Sequence, residues 1–234
     1  MLVAFILGVH RHGGYAPMTA LPVRNLVVVP DAVDAVAATV IPDAVATPVH
    51  VASLAEIGPD DRVVVIGAGG GVGIHMIQVA LARGARVVGL DVGDDKLAAI
   101  ERYGAVAMEG RSNLDPGLFE GRRPTVVVDF VGSAATASWS IVSLDTGGRM
   151  VALTTFPGRP ATFQHRDLVM REIALLGSRY ATVAQINEAA AMVADGRVTP
   201  VVGAIEPPAR VLSIHERLRS GTLIGRGALD WSEQ

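Results

Sequence analysis

One stretch in the first half of the chain constrains its fold more than any other. It begins with Arg62–Ile66, a β-branched run typical of a buried parallel strand. A glycine-rich turn follows, Gly67-Ala-Gly-Gly-Gly-Val-Gly73. Val72–Arg83 is apolar almost all round and predicts a buried helix, and Arg86–Leu90 predicts a second buried strand ending in Asp91. The order of strand, glycine turn, helix, strand and acid predicts one β-α-β unit.

The glycine turn has the chemistry of a dinucleotide-binding site. Glycines allow the backbone to approach a pyrophosphate, and the following helix offers free N–H groups and the positive end of its dipole. The glycines are spaced G-x-x-G-x-x-G on Gly67, Gly70 and Gly73, because valine stands where the strict G-x-G-x-x-G pattern needs its last glycine. Asp91 can accept both ribose hydroxyls, and its charge repels a 2′-phosphate. The sequence therefore predicts NAD(H) rather than NADP(H).

The composition is that of a compact globular protein. Half of the 234 residues are apolar, and a net charge of −3 without a basic block argues against nucleic acid or an anionic membrane as partner. The chain has no cysteine, which excludes disulfides, thiolate zinc sites and cysteine nucleophiles. Residues 1–9 are apolar but too short to span a bilayer, and no basic segment precedes them. We expect a cytoplasmic protein.

Strand and helix patterns alternate after the glycine turn. The predicted strands are Arg62–Ile66, Arg86–Leu90, Ala105–Met108, Thr125–Val131, Arg149–Leu153 and Glu172–Leu176. Predicted helices include Asp94–Tyr103, Ser133–Leu144 and a helix opened by the capping box of Thr182 and Gln185. This alternation predicts an α/β fold with a doubly wound, parallel, six-stranded Rossmann sheet.

Both ends of the chain depart from this rhythm. The elements predicted there are strands over Met1–Gly8, Asn25–Val29 and Leu223–Leu229, and helices over Asp31–Thr39, capped by Asp31, and Pro208–Ser220. Ala44–Ile57 is helical in pattern but contains Pro48. Either Thr47 caps a new helix with Pro48 in its first turn, or one helix is kinked there.

Several further motifs belong together. They are His12–Ala16 (HGGYA), Asp43–His50 (DAVATPVH), Asp129–Gly132 (DFVG), Gly147–Val151 (GGRMV), Gly177-Ser178 and Leu223–Leu229 (LIGRGAL). With the glycine turn, they resemble the medium-chain dehydrogenase/reductase family of zinc alcohol dehydrogenases and quinone reductases, across essentially the whole chain. Pro17-Met18 departs from that family's Glu-Tyr. The resemblance implies a dinucleotide-binding domain over 46–200, and a remnant of a chaperonin-10-like β domain formed by 1–45 and 201–234.

The resemblance also implies a set of cofactor contacts. Asp91 would bind the adenosine ribose with Lys96 beside it, while the Val72–Gly73 backbone and the Arg226 guanidinium would hold the pyrophosphate. The residues expected to contact NAD(H) are Gly67, Gly70, Gly71, Val72, Gly73, Asp91, Lys96, Val131, Leu153, Thr154, Thr155, Gly177, Ser178 and Arg226. Leu153–Thr155 and Gly177-Ser178 would line the nicotinamide side. Asp129 is expected to cap its strand end or hold a loop, and His75 to be a core or rim residue.

The family's zinc ligands have no full counterpart in this sequence. The family places them largely in a β-barrel of roughly a hundred residues for which this sequence has no equivalent. Asp43 stands where zinc-containing relatives place their third ligand, but a catalytic zinc needs about three protein ligands. We expect no bound metal.

Asp43, Thr47 and His50 are the candidate catalytic residues. They fall at i, i+4 and i+7, so a continuous helix would place them on one face. A hydroxyl between an acid and an imidazole can form a proton relay. The alternative is that Asp43 caps the helix and His50 is an ordinary packed or surface histidine.

Two functions remain open on this basis. The first is an NAD(H)-dependent oxidoreductase that works without zinc on a small alcohol, carbonyl or activated alkene, with Thr47, His50 or Tyr180 relaying the proton. The second is a shortened, non-catalytic NAD-binding or assembly protein. A clipped reading frame is a third possibility. In either of the first two cases we expect a homodimer through the sheet edge and exposed apolar surfaces.

Overall fold

The computed structural model describes residues 8, 10–110, 118–154 and 160–232. The strand predicted over Met1–Gly8 lies outside this range except for Gly8, which is in a turn. The predicted site residue Thr155 also lies outside it. Both predictions stay untested.

Six parallel strands form the central sheet, as predicted. They are β1 (Arg62–Ile66), β2 (Arg86–Asp91), β3 (Val106–Glu109), β4 (Val126–Asp129), β5 (Arg149–Ala152) and β6 (Ala174–Gly177). Their spatial order is β3-β2-β1-β4-β5-β6, so the direction of winding reverses between β1 and β4. This is the order of the doubly wound Rossmann sheet.

Helices cover both faces of the sheet. They are α1 (Ala35–Val40), α2 (Ala46–Leu54), α3 (Gly73–Ala82), α4 (Asp94–Arg102), α5 (Ala134–Ser143), α6 (His165–Arg171), α7 (Val183–Ala194) and α8 (Val211–Arg219). Val63 and Val65 of β1 pack in one buried cluster with α2, α3 and α7, whereas Val64 and Ile66 pack in a second cluster with α5. Because side chains alternate between the faces of a strand, β1 is buried on both sides.

Of the two helix caps predicted from the sequence, the one at Thr182 is confirmed and the one at Asp31 is wrong, and the cap at Ser133 was not predicted. Ser133 caps α5, and Thr182 caps α7 through a reciprocal capping box with Gln185. The first helix begins at Ala35, however, because Asp34 and not Asp31 accepts the N–H of Ala37, at 2.8 Å. A carboxylate can cap only the helix whose second or third N–H it reaches.

The strand predicted over Asn25–Val29 is wrong. A single 3₁₀ turn covers Val23–Asn25, and residues 26–30 have no regular structure. Val23 and Val28 point into solvent. A run of β-branched residues forms a strand only where a neighbouring strand accepts its backbone hydrogen bonds, and the described part of the chain pairs none with this segment.

A wide turn precedes Pro48 and replaces the predicted break. Ile41–Val45 forms one π-helical turn, closed by the N–H of Ala46 on the carbonyl of Ile41. Pro48 then occupies the first turn of α2, where its missing N–H costs little. Thr47 lies inside α2 and does not cap it, so the alternative of a new helix capped by Thr47 is wrong, and the alternative of one kinked helix stays untested.

Two elements near the C-terminal side were not expected from the sequence pattern. Helix α6 precedes β6, and β7 (Val202–Glu206) pairs in parallel with β8 (Arg226–Leu229) in a separate two-stranded sheet. The predicted final strand and helix are confirmed as β8 and α8, with shorter bounds. This small sheet carries Arg226.

The continuous helical run Ala35–Leu54 is long and apolar enough to cross a membrane. More than half of its most apolar window is buried against the rest of the protein. A buried core helix meets the same length and composition criteria, so the run is weak evidence for a membrane span.

Candidate functional site

A crevice of about 900 Å³ opens at the carboxyl ends of the strands, where the order of the sheet reverses. In open α/β sheets this is the place where ligands bind. The predicted site residues that line it are Asp43, Thr47, Gly67, Gly70, Gly71, Val72, Gly73, Asp91, Lys96, Val131, Leu153, Thr154, Ser178 and Arg226. The fold thus brings together residues that are more than 180 positions apart in the chain.

The glycine turn forms the floor of the crevice and leaves no room for side chains. Gly67 adopts a left-handed φ of +78°. A Cβ on Gly73 would lie 2.2 Å from the carbonyl oxygen of Gly67. Because α3 begins at Gly73 with Val72 as its N-cap, the amides of Val72 and Gly73 are among the first N–H groups of the helix, which have no acceptor inside it. The turn is therefore shaped to accept an anionic group.

Asp91 ends β2 beside this turn and is nearly buried. Its Oδ2 accepts the N–H of Gly69 at 2.8 Å, and its Oδ1 accepts the N–H of Val92 at 2.8 Å and lies 3.3 Å from Nζ of Lys96. A Cβ on Gly69 would come within 2.7 Å of the Lys96 Cβ, so the absent side chain lets the lysine pack over the turn. The carboxylate is thus held at the rim by two backbone hydrogen bonds and an ion pair with Lys96.

Arg226 forms the opposite wall and lies directly on the glycine turn. A Cβ on Gly71 would be 2.7 Å from its Cδ. Its guanidinium forms an ion pair with Asp43, and Asp43 also accepts the hydroxyl of Thr47 at 3.2 Å. The guanidinium that faces the glycine turn is therefore already paired with a carboxylate.

The candidate relay is only partly assembled. Asp43 and Thr47 are in contact inside the crevice, but His50 is not among the residues that line it. The Nδ1 of His50 lies 3.1 Å from Nε2 of Gln185 on α7 instead. His50 lies on the part of α2 that packs against α7, whereas Asp43 and Thr47 stay in contact across the π-helical turn.

The β6 end of the crevice contains groups that the sequence motifs did not mark. Arg179 lines it beside Tyr180, and two further unmarked residues line the crevice elsewhere, Phe130 after β4 and Val92 after β2. Phe130 lies inside the DFVG motif, and Arg179 directly follows Gly177-Ser178. Their positions in or beside these motifs are the sequence signal that could have identified them as site residues. Gly177 itself faces a smaller cavity of about 270 Å³ behind the crevice.

Strain and an unused hydroxyl distinguish this end. The Oγ of Ser178 is buried and has no hydrogen-bond partner among the described residues. Tyr180 adopts a left-handed φ of +55° while its side chain stays about half exposed, and the Arg179 guanidinium lies 5.3 Å from the centre of its ring. Such backbone conformations are concentrated at functional sites.

The donor atoms of the described residues do not fit a zinc ion. No group of three or more histidine, aspartate or glutamate side chains in ranges 10–110, 118–154 and 160–232 is arranged to hold a metal. Asp43 is committed to Arg226 and Thr47.

Sheet order, glycine turn and the acid at the tip of β2 together define an α/β domain of the Rossmann class. Comparison with known proteins is more specific. The family described as zinc-binding dehydrogenase matches residues 71–195, and the chain belongs to this family. The resemblance to the medium-chain dehydrogenases and reductases is thereby confirmed.

Individual relatives resemble nearly the whole chain. It is 29% identical to acryloyl-coenzyme A reductase of Metallosphaera sedula over 92% of its own length and 64% of that protein, and 29% identical to an alcohol dehydrogenase of Moraxella sp. over 96% and 67%. The structure of acetophenone reductase from Geotrichum candidum in complex with NAD superposes with a TM-score of 0.84 and 30% identity, covering 95% of this chain and 64% of that one. The chain spans about two thirds of the length of these relatives.

Proposed function

We propose that this protein is an NAD(H)-dependent oxidoreductase that transfers a hydride to or from a small alcohol, carbonyl or activated alkene without a catalytic zinc. The observation that carries the proposal is the crevice in which the glycine turn, Asp91 and Arg226 face one another. Relatives named alcohol dehydrogenase and acryloyl-coenzyme A reductase, and a neighbour structure that holds NAD, support the same class of reaction.

The cofactor fits the shape and charge of the crevice. The diphosphate would lie on the amides of Gly71–Gly73 with Arg226 as a bidentate cation, and the adenosine ribose would donate to Asp91. The nicotinamide would lie against Leu153, where the unused Ser178 hydroxyl can donate or accept a hydrogen bond. Asp91 favours NAD(H), because a 2′-phosphate would meet its charge.

The bound nicotinamide would supply or take up the hydride, and the chain would orient the substrate and move a proton. Thr47 is the group best placed for the proton, because its hydroxyl lies in the crevice and donates to Asp43. In the direction of alcohol oxidation, the substrate hydroxyl would pass its proton to Oγ1 of Thr47 while Thr47 passes its own proton to the Asp43 carboxylate, and reduction would run the same two transfers in reverse. Tyr180 is a second donor at the β6 end.

Calorimetric titration with NADH and NADPH, followed by turnover on a panel of aldehydes, ketones, quinones and enoyl thioesters with and without added Zn²⁺, tests the proposal. We expect NADH to bind more tightly than NADPH, and turnover that is independent of zinc.

Thr47→Val should lower kcat about 100-fold and leave NADH affinity unchanged, whereas Thr39→Val, a threonine on α1 outside the crevice, should change neither. Zinc-dependent turnover would contradict the zinc-free mechanism.

A second candidate is a non-catalytic NAD-binding or assembly protein. Two sets of contacts favour it. Asp43 is engaged by Arg226 and Thr47, and His50 lies against Gln185. Among the described residues, no chain of proton carriers therefore reaches the crevice through His50. NADH binding without turnover on any member of the panel would favour this function over the first.

We further propose a cytoplasmic homodimer formed across the edge of the sheet. β6 is an edge strand with a half-exposed Leu175, and α6 exposes Val169 and Met170 at 73% and 68%. An apolar surface next to an unpaired strand edge is what a two-fold pairing covers. Sedimentation analysis should show a dimer that Leu175→Lys converts to a monomer, while Leu212→Lys on α8 leaves the dimer intact. A wild-type monomer at micromolar concentration would contradict this proposal.

A further inference from the structure

Two side chains of α3 hold a strand-like segment by its backbone. Gln78 accepts the N–H of Thr199 at 2.7 Å and donates to the carbonyl of Thr199 at 3.0 Å. One turn earlier, Nε2 of His75 accepts the N–H of Val201 at 2.9 Å. The segment just before β7 is therefore attached to the helix that begins at the glycine turn.

The other nitrogen of His75 is attached to the glycine turn itself. Nδ1 lies 2.9 Å from the carbonyl oxygen of Gly71. Because Nε2 accepts from Val201, the proton resides on Nδ1 and is donated to Gly71. The imidazole is completely buried, and this burial lowers the pKa of His75 to about 4. The charged groups that face it are Arg226 of β8, which lowers the pKa further, and Asp43 of the π-helical turn, which opposes that change.

The segment held by His75 in turn holds Arg226. The carbonyl of Val201 accepts the N–H of Arg226 at 2.9 Å, as the first rung between β7 and β8. From this backbone position the Arg226 side chain runs over Gly71. One imidazole thus connects the two sides of the crevice that would enclose a diphosphate.

We propose that His75 is a positioning residue that fixes the Arg226 guanidinium over the glycine turn for the diphosphate of the cofactor. The assignment rests on the proposed NAD(H) function, and it requires the neutral Nδ1–H form of the ring. A glutamine at this position can still present an acceptor to Val201, whereas a leucine of similar volume cannot.

A double-mutant cycle on NADH affinity at pH 7.5 tests the assignment. We expect His75→Leu to weaken NADH binding about tenfold, the size of one lost buried hydrogen bond, and His75→Gln to stay within about threefold of wild type. In an Arg226→Ala background His75→Leu should have no further effect, because its action passes through the arginine. His215→Leu, a histidine on α8, serves as the control and should bind as wild type.

If His75→Leu weakens NADH binding equally in the wild-type and Arg226→Ala backgrounds, the proposal is overturned and His75 is a purely structural residue. The proposal is also overturned if the His75→Leu variant binds NADH as tightly as wild type. Amide hydrogen exchange, measured without cofactor, tests the positioning role of His75 separately from the proposed NAD(H) function. If wild type does not bind NADH at all, the function is wrong, and the exchange rates of the Val201 and Arg226 amides then decide the positioning role. Both amides should exchange slowly in wild type and His75→Gln and much faster in His75→Leu.

Discussion

The two ends of the crevice are held in place by different means. At the glycine end, Asp91 accepts two backbone N–H groups, and Arg226 lies on Gly71 with its own backbone fixed through Val201. At the β6 end, the hydroxyl of Ser178 has no partner among the described residues, and Tyr180 is half exposed on a left-handed backbone. The glycine end is preorganised by the chain itself, whereas the β6 end has groups left for a ligand to engage.

This difference between the two ends suggests a division of roles, with cofactor binding at the glycine end and chemistry at the β6 end. A cradle whose backbone is already in place needs little reorganisation on binding beyond release of the Asp43–Arg226 ion pair, so its residues should dominate affinity. Strained and unsatisfied groups at the β6 end should affect turnover more than affinity. Substitutions at the two ends therefore test whether the division holds.

Gly73→Ala should have the largest effect. The new Cβ would meet the Gly67 carbonyl oxygen at 2.2 Å, so the turn must open, at a cost of about 3 kcal/mol. We expect NADH binding by calorimetry to fall more than 100-fold. Gly58→Ala, where a Cβ meets nothing within 4 Å, is the control and should bind normally. Normal NADH affinity in Gly73→Ala would mean that the turn does not hold the cofactor.

Acid should destabilise the protein through His75. Burial keeps the folded-state pKa near 4, below the usual 6.5, so between these values the unfolded chain binds the proton and the folded chain does not. The free energy of unfolding should fall as the pH drops through this window, by up to about 3 kcal/mol. Urea denaturation between pH 7 and pH 4 measures the slope, which should be shallower in His75→Gln. An unchanged slope in that variant would assign the acid sensitivity to other groups.

Asp91→Asn should change both affinity and selectivity. It keeps an acceptor for Gly69 but removes the charge that binds the ribose, at a cost of about 2 kcal/mol. NADH affinity should fall 10- to 100-fold, and the ratio of NADPH to NADH affinity should rise. Asp60→Asn, in the exposed turn before β1, controls for the loss of one charge. Tighter binding of NADPH than NADH to the wild type would show that Asp91 does not select the cofactor.

Asp43→Asn should improve binding slightly. Asp43 competes with a diphosphate for the Arg226 guanidinium, so removing its charge should tighten NADH binding about threefold. Turnover should fall, because Thr47 loses its acceptor. Asp31→Asn is the matched control outside the crevice. Weaker NADH binding in Asp43→Asn would mean that the ion pair holds Arg226 in place and does not compete for it.

Tyr180→Gly should have the smallest effect. Glycine relieves the left-handed backbone at φ +55°, which should stabilise the protein by about 1 kcal/mol or less. Tyr180→Ala removes the ring but keeps the strain, so a rise in Tm only in the glycine variant would isolate the backbone contribution. NADH affinity should be unchanged in both, and a large loss would contradict the division between the two ends.

The sequence predicted what depends on neighbours along the chain. Arg62–Asp91 forms a β-α-β unit from local patterns alone, and the capping box of Thr182 needs only a residue three positions on. Contacts between distant segments were not predictable in this way. The partner of His75 is 126 residues away, and β7 exists only because β8 returns beside it. The valines of Asn25–Val29 show the converse, since a good strand pattern without a neighbour forms no strand.

The π-helical turn over Ile41–Val45 determines the direction in which the Asp43 side chain points around the helix axis. A wide turn carries one more residue than the α-helical turn it replaces, and each residue of an α-helix advances the phase by about 100°. Deleting a single residue there would let α1 and α2 fuse into one regular helix and would rotate Asp43 about the helix axis, away from the guanidinium it now faces. A one-residue deletion in this segment would thus release Arg226 as effectively as a substitution of Asp43, while leaving the central sheet untouched.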